Sequence, residues 1–202
     1  MASQTPRKRP ARKAASGKAA SRKAVTGTAQ PRRAAAGRRR HPHIVHVDSV
    51  TWEHEAHGRR FEHQRKRLGR VAGGVQIGAS LFRLLPGKVA FPAHFHHGNE
   101  EAIFVLGGSG TIRIGAGEHP VAAGDYIALP AGTGEAHQMR NASRAPLEYL
   151  CISTMRQPEI SEYPDSGKLG VFTGVAPGGE TPRRRLYGFY MQRGKVDYYQ
   201  GE

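Results

Sequence analysis

From residue 43 onward the chain sustains no helical pattern, because short β-branched and aromatic runs are repeatedly cut by glycine and proline. His43–Val47, Gly78–Leu85, Ile103–Leu106, Thr111–Ile114, Tyr126–Leu129 and Leu147–Ser153 are all of strand length. Pro86-Gly87, Gly107-Gly108, Gly115–Gly117, Ala123-Gly124 and Ala131–Gly134 punctuate them. No stretch keeps the 3.6-residue apolar period for three turns, so long helices are not expected. Many short strands at regular spacing predict an all-β sandwich or barrel, and periodicity alone does not choose between the two.

The first forty residues have a different composition. They hold 13 of the 31 Lys and Arg and no Asp or Glu, so most of the formal +15 belongs to them. Residues 41–202 hold 18 basic and 16 acidic side chains and are close to neutral. Met1 and Val25 are the only larger apolar residues of the segment, set against eleven alanines. Such a composition cannot bury enough surface to offset its ordering entropy, so residues 1–40 are expected to be a disordered basic tail. The expected division is therefore tail 1–40 and one folded domain 41–202.

The tail repeats with a period of ten. Arg12-Lys13-Ala14-Ala15-Ser16-Gly17 returns as Arg22-Lys23-Ala24-Val25-Thr26-Gly27 and as Arg32-Arg33-Ala34-Ala35-Ala36-Gly37. No apolar residue is available for neighbouring units to share, so the repeat is not a stacking one. It reads as a flexible polycation resembling the tails of linker-histone-like proteins, roughly 35 Å in r.m.s. span. A polycation of this kind binds nucleic acid non-specifically by counterion release. Without an Asn, Gln or aromatic array it does not read bases. The competing readings are a solubilising or targeting extension and nuclear import through Arg7-Lys8-Arg9-Pro10.

No run approaches the ~20 apolar residues of a membrane span, and the basic N-terminus lacks the apolar core of a secretory signal. A mitochondrial transit peptide is disfavoured by Pro6, Pro10 and Pro31 and by the lack of an apolar face. The single cysteine, Cys151, forbids an internal disulfide and fits a reducing compartment, where a small buried hydrophobe is its default role. A cytoplasmic location is expected, with nucleoid association if the tail holds DNA.

The chemistry concentrates in two blocks. Gly87 is followed by His94-Phe95-His96, Glu100-Glu101 and the run Ala102–Gly108; then come Gly124-Asp125, Pro130-Ala131-Gly132, His137 and Asn141. Positions two apart on a strand share a face, so His94 and His96 point one way and Phe95 the other. A turn at Gly98-Asn99 lets a carboxylate return to the same cavity, and a third imidazole from a later strand completes a three-His, one-carboxylate set. Such a set leaves coordination positions open.

On these residues the chain resembles the cupin superfamily over roughly 79–153, in particular small bacterial single-domain conserved-barrel cupins without assigned activity. The resemblance implies a double-stranded β-helix, a jelly-roll barrel, and names His94, His96, Glu101 and His137 as metal ligands. Glu101 is preferred to Glu100 because the family spacing from it to a closing glycine lands on Gly108 within Val105–Gly108. The family usually places two residues between the second-block glycine and its histidine. Gly132 and His137 are separated by four, so an enlarged turn at Gly134 is expected. Softer likeness extends to Glu162–Lys168 and to Val196-Asp197-Tyr198-Tyr199. Tyr163–Lys168 reads either as a loop over the barrel mouth, with Asp165 or Lys168 near substrate, or as a dimer or barrel-end contact.

The implied cofactor is one divalent metal ion (Fe, Mn, Zn or Ni) and the implied partner a small-molecule ligand or substrate. The function expected is a metal-dependent enzyme of oxygenase or isomerase type. The alternatives are a non-catalytic metal- or metabolite-binding cupin and a sensor tethered to DNA by its tail. Tyr126, Gln138 and Met139 are candidates for lining the cavity, Asn141 for tying down backbone, and His97 for the rim. Six histidines crowd residues 41–63 (His41, His43, His46, His54, His57, His63), with His41 and His43 on a shared strand face and His54 and His57 able to meet on a helical turn. They lack a carboxylate frame and are expected to be exposed rather than a second metal site. Barrels with open sheet edges commonly pair, and a homodimer is expected.

Overall fold

The computed structural model describes residues 40–177, 179, 183 and 185–202. The ten-residue repeat and the rest of the basic segment up to residue 39 lie outside the described residues. Among the described residues thirteen strands run in chain order: β1 (Glu53–His57), β2 (Phe61–Lys66), β3 (Ile77–Leu84), β4 (Phe95–His96), β5 (Glu101–Gly107), β6 (Ser109–Ile114), β7 (Gly117–Ala122), β8 (Tyr126–Leu129), β9 (His137–Arg140), β10 (Leu147–Thr154), β11 (Glu159–Tyr163), β12 (Lys168–Phe172) and β13 (Tyr187–Met191). One four-residue helix, α1 (Leu68–Val71), joins β2 to β3. The all-β reading is therefore correct, and five of the six runs read as strands are strands.

The sixth, His43–Val47, is not. It turns, and a 3-10 turn follows at Val47–Ser49, where the His46 ring accepts a hydrogen bond from the Asp48 N–H. Local capping wins over the β preference of Ile44 and Val45, because among the described residues no strand pairs with them and Ile44 is exposed. Likewise His54 and His57 lie on β1, not on a helical turn. Both β1 and β2 are almost wholly polar, and they form a hairpin in which Glu53 faces Arg65 and Glu55 faces His63.

The strands make a six-stranded sheet in the order β1-β2-β3-β10-β5-β8, a four-stranded sheet β13-β12-β11-β4 and a three-stranded sheet β7-β6-β9. All the pairings between these strands are antiparallel. The core lies between the six- and three-stranded sheets. Phe82, Leu84, Ile103, Val105, Leu129, Leu147 and Tyr149 on one side meet Ile112, Val121 and Met139 on the other. Alternate residues of each strand face inward, so polar side chains on that inner face project into the barrel. Glu101, Ile103 and Val105 alternate along β5 in this way, and Ile103 and Val105 are sealed in the core.

Gly108 closes β5 with φ +77°, and a Cβ there would fall 2.3 Å from the Pro146 carbonyl oxygen, so glycine is required. The enlarged turn before His137 is present. Gly132 and Gly134 both take positive φ, and the Gly132 N–H donates to the His96 carbonyl at 2.8 Å. Asn141 is fully buried and ties backbone down, as expected: its Nδ2 donates to the carbonyls of Leu84 and Ala145, each at 2.8 Å.

Candidate metal centre

His94 enters the barrel just before β4 and is bonded to His137 at the start of β9 through both backbone groups. The His94 N–H donates to the His137 carbonyl at 3.2 Å, and the His137 N–H returns to the His94 carbonyl at 2.8 Å. His96 follows on β4, and Glu101 opens β5 beyond the turn. The structure brings together His94, His96, Glu101 and His137: one donor atom from each lies within 4.8 Å of the other three. Glu100 is exposed and its backbone N–H is bonded to Thr154, so the carboxylate that reaches the cluster belongs to Glu101. Among the described residues this is the one group of three or more His, Cys, Asp and Glu with metal-holding spacing, and the crowd of histidines at 41–63 forms none.

The imidazoles are aimed by partners on their far side. The His94 Nδ1–H donates to the Pro92 carbonyl at 2.8 Å. The His96 Nδ1–H donates to Glu159 Oε1 at 3.2 Å and shares Ser161 Oγ at 3.0 Å. A proton fixed on Nδ1 leaves Nε2 with a lone pair directed into the barrel. His96 Nε2 is in fact buried with no hydrogen-bond partner among the described residues. The nearest carboxylate oxygen, Glu101 Oε2, is 3.8 Å away, too far for a hydrogen bond. His137 Nε2 lies 3.2 Å from the same oxygen. Buried polar atoms without partners are rare, and a nitrogen left so beside a carboxylate and two more imidazoles fits a cation as the missing partner.

Electrostatics agree. Burial, with the neighbouring imidazoles His137 and His96, pushes His94 down to about 3, so its ring is neutral and free to donate an electron pair. Burial alone would raise Glu101, but the His137 hydrogen bond and the three surrounding imidazoles outweigh it and hold the carboxyl down at about 2. His96 is raised despite burial, because Glu159 and Glu101 attract its charged form. Burial pushes the Cys151 thiol well up; Sγ sits 3.9 Å from Glu101 Oε1 and packs against the core as an uncharged group.

Glu159 carries no signal in its neighbourhood of sequence, and sequence reasoning missed it. It is fully buried, and its second oxygen accepts from the Gly98 N–H at 3.2 Å and from Asn99 Nδ2. Asn99, also buried, receives the Arg156 N–H and Thr154 Oγ1 on its own oxygen at 2.7 and 3.1 Å. The turn between His96 and Glu101 is thus bolted to β10 and β11. Sixty-three residues separate Glu159 from His96, so only folding reveals the pair.

Tyr163, at the end of β11, stacks on His94 with ring centroids 5.4 Å apart and planes at 18°, and burial pushes its hydroxyl up to about 12. Lys168 Nζ lies over that ring at 4.9 Å, and Asp165 is held by Arg113 in two bonds of 2.8 and 3.0 Å. The Tyr163–Lys168 hairpin therefore sits beside the cluster through Tyr163, while Asp165 is engaged elsewhere. A small, solvent-open cavity of about 30 Å³ adjoins the cluster, with His96, His137, Leu129, Thr133 and Glu135 among its walls. Of the residues considered for its lining, Tyr126 is 66 % exposed and Met139 is in the core. Gln138 accepts from Arg60 at 3.0 Å and donates to the Phe91 carbonyl at 2.7 Å. None of the three lines this cavity, because Tyr126 faces outward on β8 and the other two are consumed by packing and hydrogen bonding. His97 is at the rim, 45 % exposed and bonded to Glu162 at 2.8 Å.

A jelly-roll barrel with three imidazoles and a carboxylate converging inside it defines a class of metal-site barrels. The chain carries a cupin domain: the family described as a cupin domain matches residues 80–153. Two solved structures are similar over most of the chain. One, named as a sugar phosphate isomerase of the cupin superfamily from Silicibacter pomeroyi, is 28 % identical with TM-score 0.63, covering 75 % of this chain and 94 % of its own. The other, a protein from Acidithiobacillus ferrooxidans named as a candidate sugar phosphate isomerase, is 24 % identical with TM-score 0.64, covering 77 % and 96 %. No curated protein matches. Among the described residues no helix is long and apolar enough to cross a membrane.

Proposed function

We propose that this chain is a metal-dependent enzyme acting on a small molecule, with His94, His96, Glu101 and His137 as the ligands of one divalent ion. The carrying observation is His96 Nε2, buried without a hydrogen-bond partner while Nδ1 is fastened by Glu159 and Ser161. A divalent ion held there supplies Lewis acidity for a carbonyl, or an open position for dioxygen, according to the metal. The likeness to the Silicibacter isomerase supports the isomerase type over the oxygenase type.

The chain's own contribution is positioning. Pro92, Glu159 and Ser161 hold the imidazole protons on the outer nitrogens. Tyr163 closes one wall against His94 and keeps its proton at neutral pH. Phe91 meets His94 edge-on with ring centroids 6.4 Å apart, and Phe82 packs edge-on against Phe91 at 5.7 Å. Residues 1–40 act as a polyanion-binding tail on the cupin domain 41–202. Exposed Phe104, Leu106 and Tyr126 on β5 and β8 support pairing of two copies.

Metal analysis of the full-length protein, purified without a histidine tag, tests the site. It should find close to one divalent ion per chain, lost in His96→Ala and in Glu101→Ala; unchanged content in both variants refutes the assignment. Sugar phosphates followed by proton NMR then test isomerisation. Absence of turnover across aldose and ketose phosphates, with no oxygen consumption, would leave a non-catalytic binder. For the tail, full-length protein should retard DNA where a chain beginning at His41 does not. If about eight charges meet phosphates, affinity falls on the order of 10⁴-fold between 50 and 200 mM salt. Light scattering checks the dimer.

A further inference from the structure

Arg65, a cation with no carboxylate in ion-pair contact among the described residues, lies on the inner face of the six-stranded sheet, although Glu53 pairs with it across the β1–β2 ladder. In the six-stranded sheet Arg65 pairs with Phe82, Phe82 with Tyr149 and Tyr149 with Val105. Residues paired across a ladder share a face. Phe82, Tyr149 and Val105 are 4, 2 and 0 % exposed, so this is the core face, and Arg65 on β2 projects onto it. Its guanidinium lies over the Phe82 ring at 5.3 Å, and its Nε donates to Ser80 Oγ at 3.1 Å. Neither contact supplies negative charge.

Among the described residues no carboxylate forms an ion pair with Arg65, and Nη1 and Nη2 make no hydrogen bond. The acids nearest to it across the β1–β2 hairpin are Glu53 and Glu55, and Arg67 engages them at 2.8 and 3.8 Å. Tyr149 and Cys151, the ionisable groups facing it from β10, are kept uncharged by burial. Burial also lowers Arg65 itself, the mark of a charge that pays for its place. Neither terminal nitrogen is sealed: among the described residues the sealed, unbonded side-chain nitrogens are His63 Nε2 and His96 Nε2.

The arginine is linked to the candidate metal centre through Ser80 and one side chain of β10. Its anchor Ser80 lies directly opposite Cys151 in the β3–β10 register, and Cys151 Sγ touches Glu101 at 3.9 Å. A planar guanidinium held at Nε and on one face presents its remaining N–H groups as a fork, the shape that matches a carboxylate or phosphate with two parallel bonds.

We propose that Arg65 binds the anionic group, carboxylate or phosphate, of a small substrate whose reacting end sits at the His94, His96, Glu101 and His137 cluster. The proposal rests on the reading of that cluster as a metal site and narrows its substrate from any small molecule to an acidic one. Ser80 and Phe82 are the positioning residues: the first fixes the fork's rotation, the second its plane.

Calorimetric titration of inorganic phosphate and of succinate into full-length wild type, Arg65→Gln and Arg65→Met, at constant ionic strength, tests this. All three carry the same basic tail, so its anion binding cancels in the difference. Metal content is measured on the same samples, and the titrations are repeated after chelation. Wild type should show a saturable phase that both variants weaken at least tenfold, with metal content equal in all three. The stronger of the two probes identifies which group the fork takes. Equal anion binding in wild type and both variants overturns the proposal, as does the absence of any saturable phase in wild type. Metal absent from all three with the Arg65-dependent phase intact sinks the metal reading alone. Metal present with no Arg65 dependence sinks this proposal alone. Arg65→Met, which retains an apolar stem and drops the unpaired charge, should melt at or above the wild-type temperature and lose the phosphate-dependent rise seen in wild type. An equal phosphate-dependent rise in Arg65→Met also overturns the assignment.

Discussion

Replacing Glu159 by Gln removes one charge, keeps the shape, and puts the orientation of His96 to the test. The wild-type carboxylate accepts on both oxygens: one takes His96 Nδ1–H at 3.2 Å, the other takes the Gly98 N–H at 3.2 Å and Asn99 Nδ2. Glutamine has a single oxygen. If it faces Gly98 and Asn99, its NH₂ group meets His96 Nδ1, and the imidazole proton is driven to Nε2, where it blocks the lone pair. If it faces His96, the NH₂ group confronts two buried donors. Either arrangement leaves buried groups unsatisfied, at about 1–3 kcal/mol. For a chain of this size each kcal/mol moves the thermal midpoint by about 2–4 °C, so a drop of about 2–12 °C is expected. Metal affinity, measured by competition with a chromophoric chelator, should fall about 10–100-fold, the usual effect of losing a partner that orients a ligating histidine. Ser161→Ala removes only the weaker share of His96 Nδ1 and should cost about 0.5–1.5 kcal/mol. A Glu159→Gln protein that melts and binds metal as wild type does would refute the account of how His96 is aimed.

Three further outcomes are expected. His63 is buried between Phe82 and Phe91, and burial lowers it below its ordinary 6.5. The unfolded chain therefore takes up its proton first, and stability falls as pH drops below about 6.5 and is unaffected above. His63→Leu should flatten that slope by no more than about 1.4 kcal/mol per pH unit, the one-proton limit, in urea titrations from pH 7.5 to 5; an unchanged slope would contradict the burial argument. Gly108→Ala forces a Cβ into the left-handed region and to 2.3 Å from the Pro146 oxygen, so it should lose about 1–2 kcal/mol from conformation alone and more from the clash. Asp165→Asn breaks an exposed ion pair with Arg113 and should change stability by less than about 1 kcal/mol; a larger loss would mean that the hairpin is held chiefly by that pair.

The parts of the fold that sequence revealed are those where the inner face is apolar. Leu147–Ser153 and Tyr126–Leu129 alternate as buried strands should, and both were legible. β1 and β2 were not, because Glu53–His57 has no buried residue and Phe61–Lys66 mixes polar types on both faces. Their clue was Gly58, which takes φ +60° between the two strands. β11 and β12 also escaped, although Pro164-Asp165-Ser166-Gly167 between them is turn chemistry in plain view. In the site, His94, His96, Glu101 and His137 were named through the family resemblance, strand alternation accounting locally only for the shared face of His94 and His96, and the fold brings the four together. Glu159, Ser161 and Arg65 were not legible: each acts through a neighbour supplied by tertiary pairing, and an isolated Glu, Ser or Arg carries no local pattern. Tyr126, Gln138 and Met139 stay out of the adjoining cavity for separate reasons: Tyr126 faces outward, Gln138 is held by Arg60 and the Phe91 carbonyl, and Met139, on the same face as His137, is packed in the core.

The paired backbone bonds between His94 and His137 have a consequence for how such a centre changes over time. Two of the four donors are spaced by main-chain geometry, which side-chain replacement does not alter. A carboxylate in place of either imidazole would inherit the same Cα position and the same direction into the barrel. Were the proposed ion bound there, the donor set could be retuned one side chain at a time while the backbone pairing that sets the spacing stays untouched.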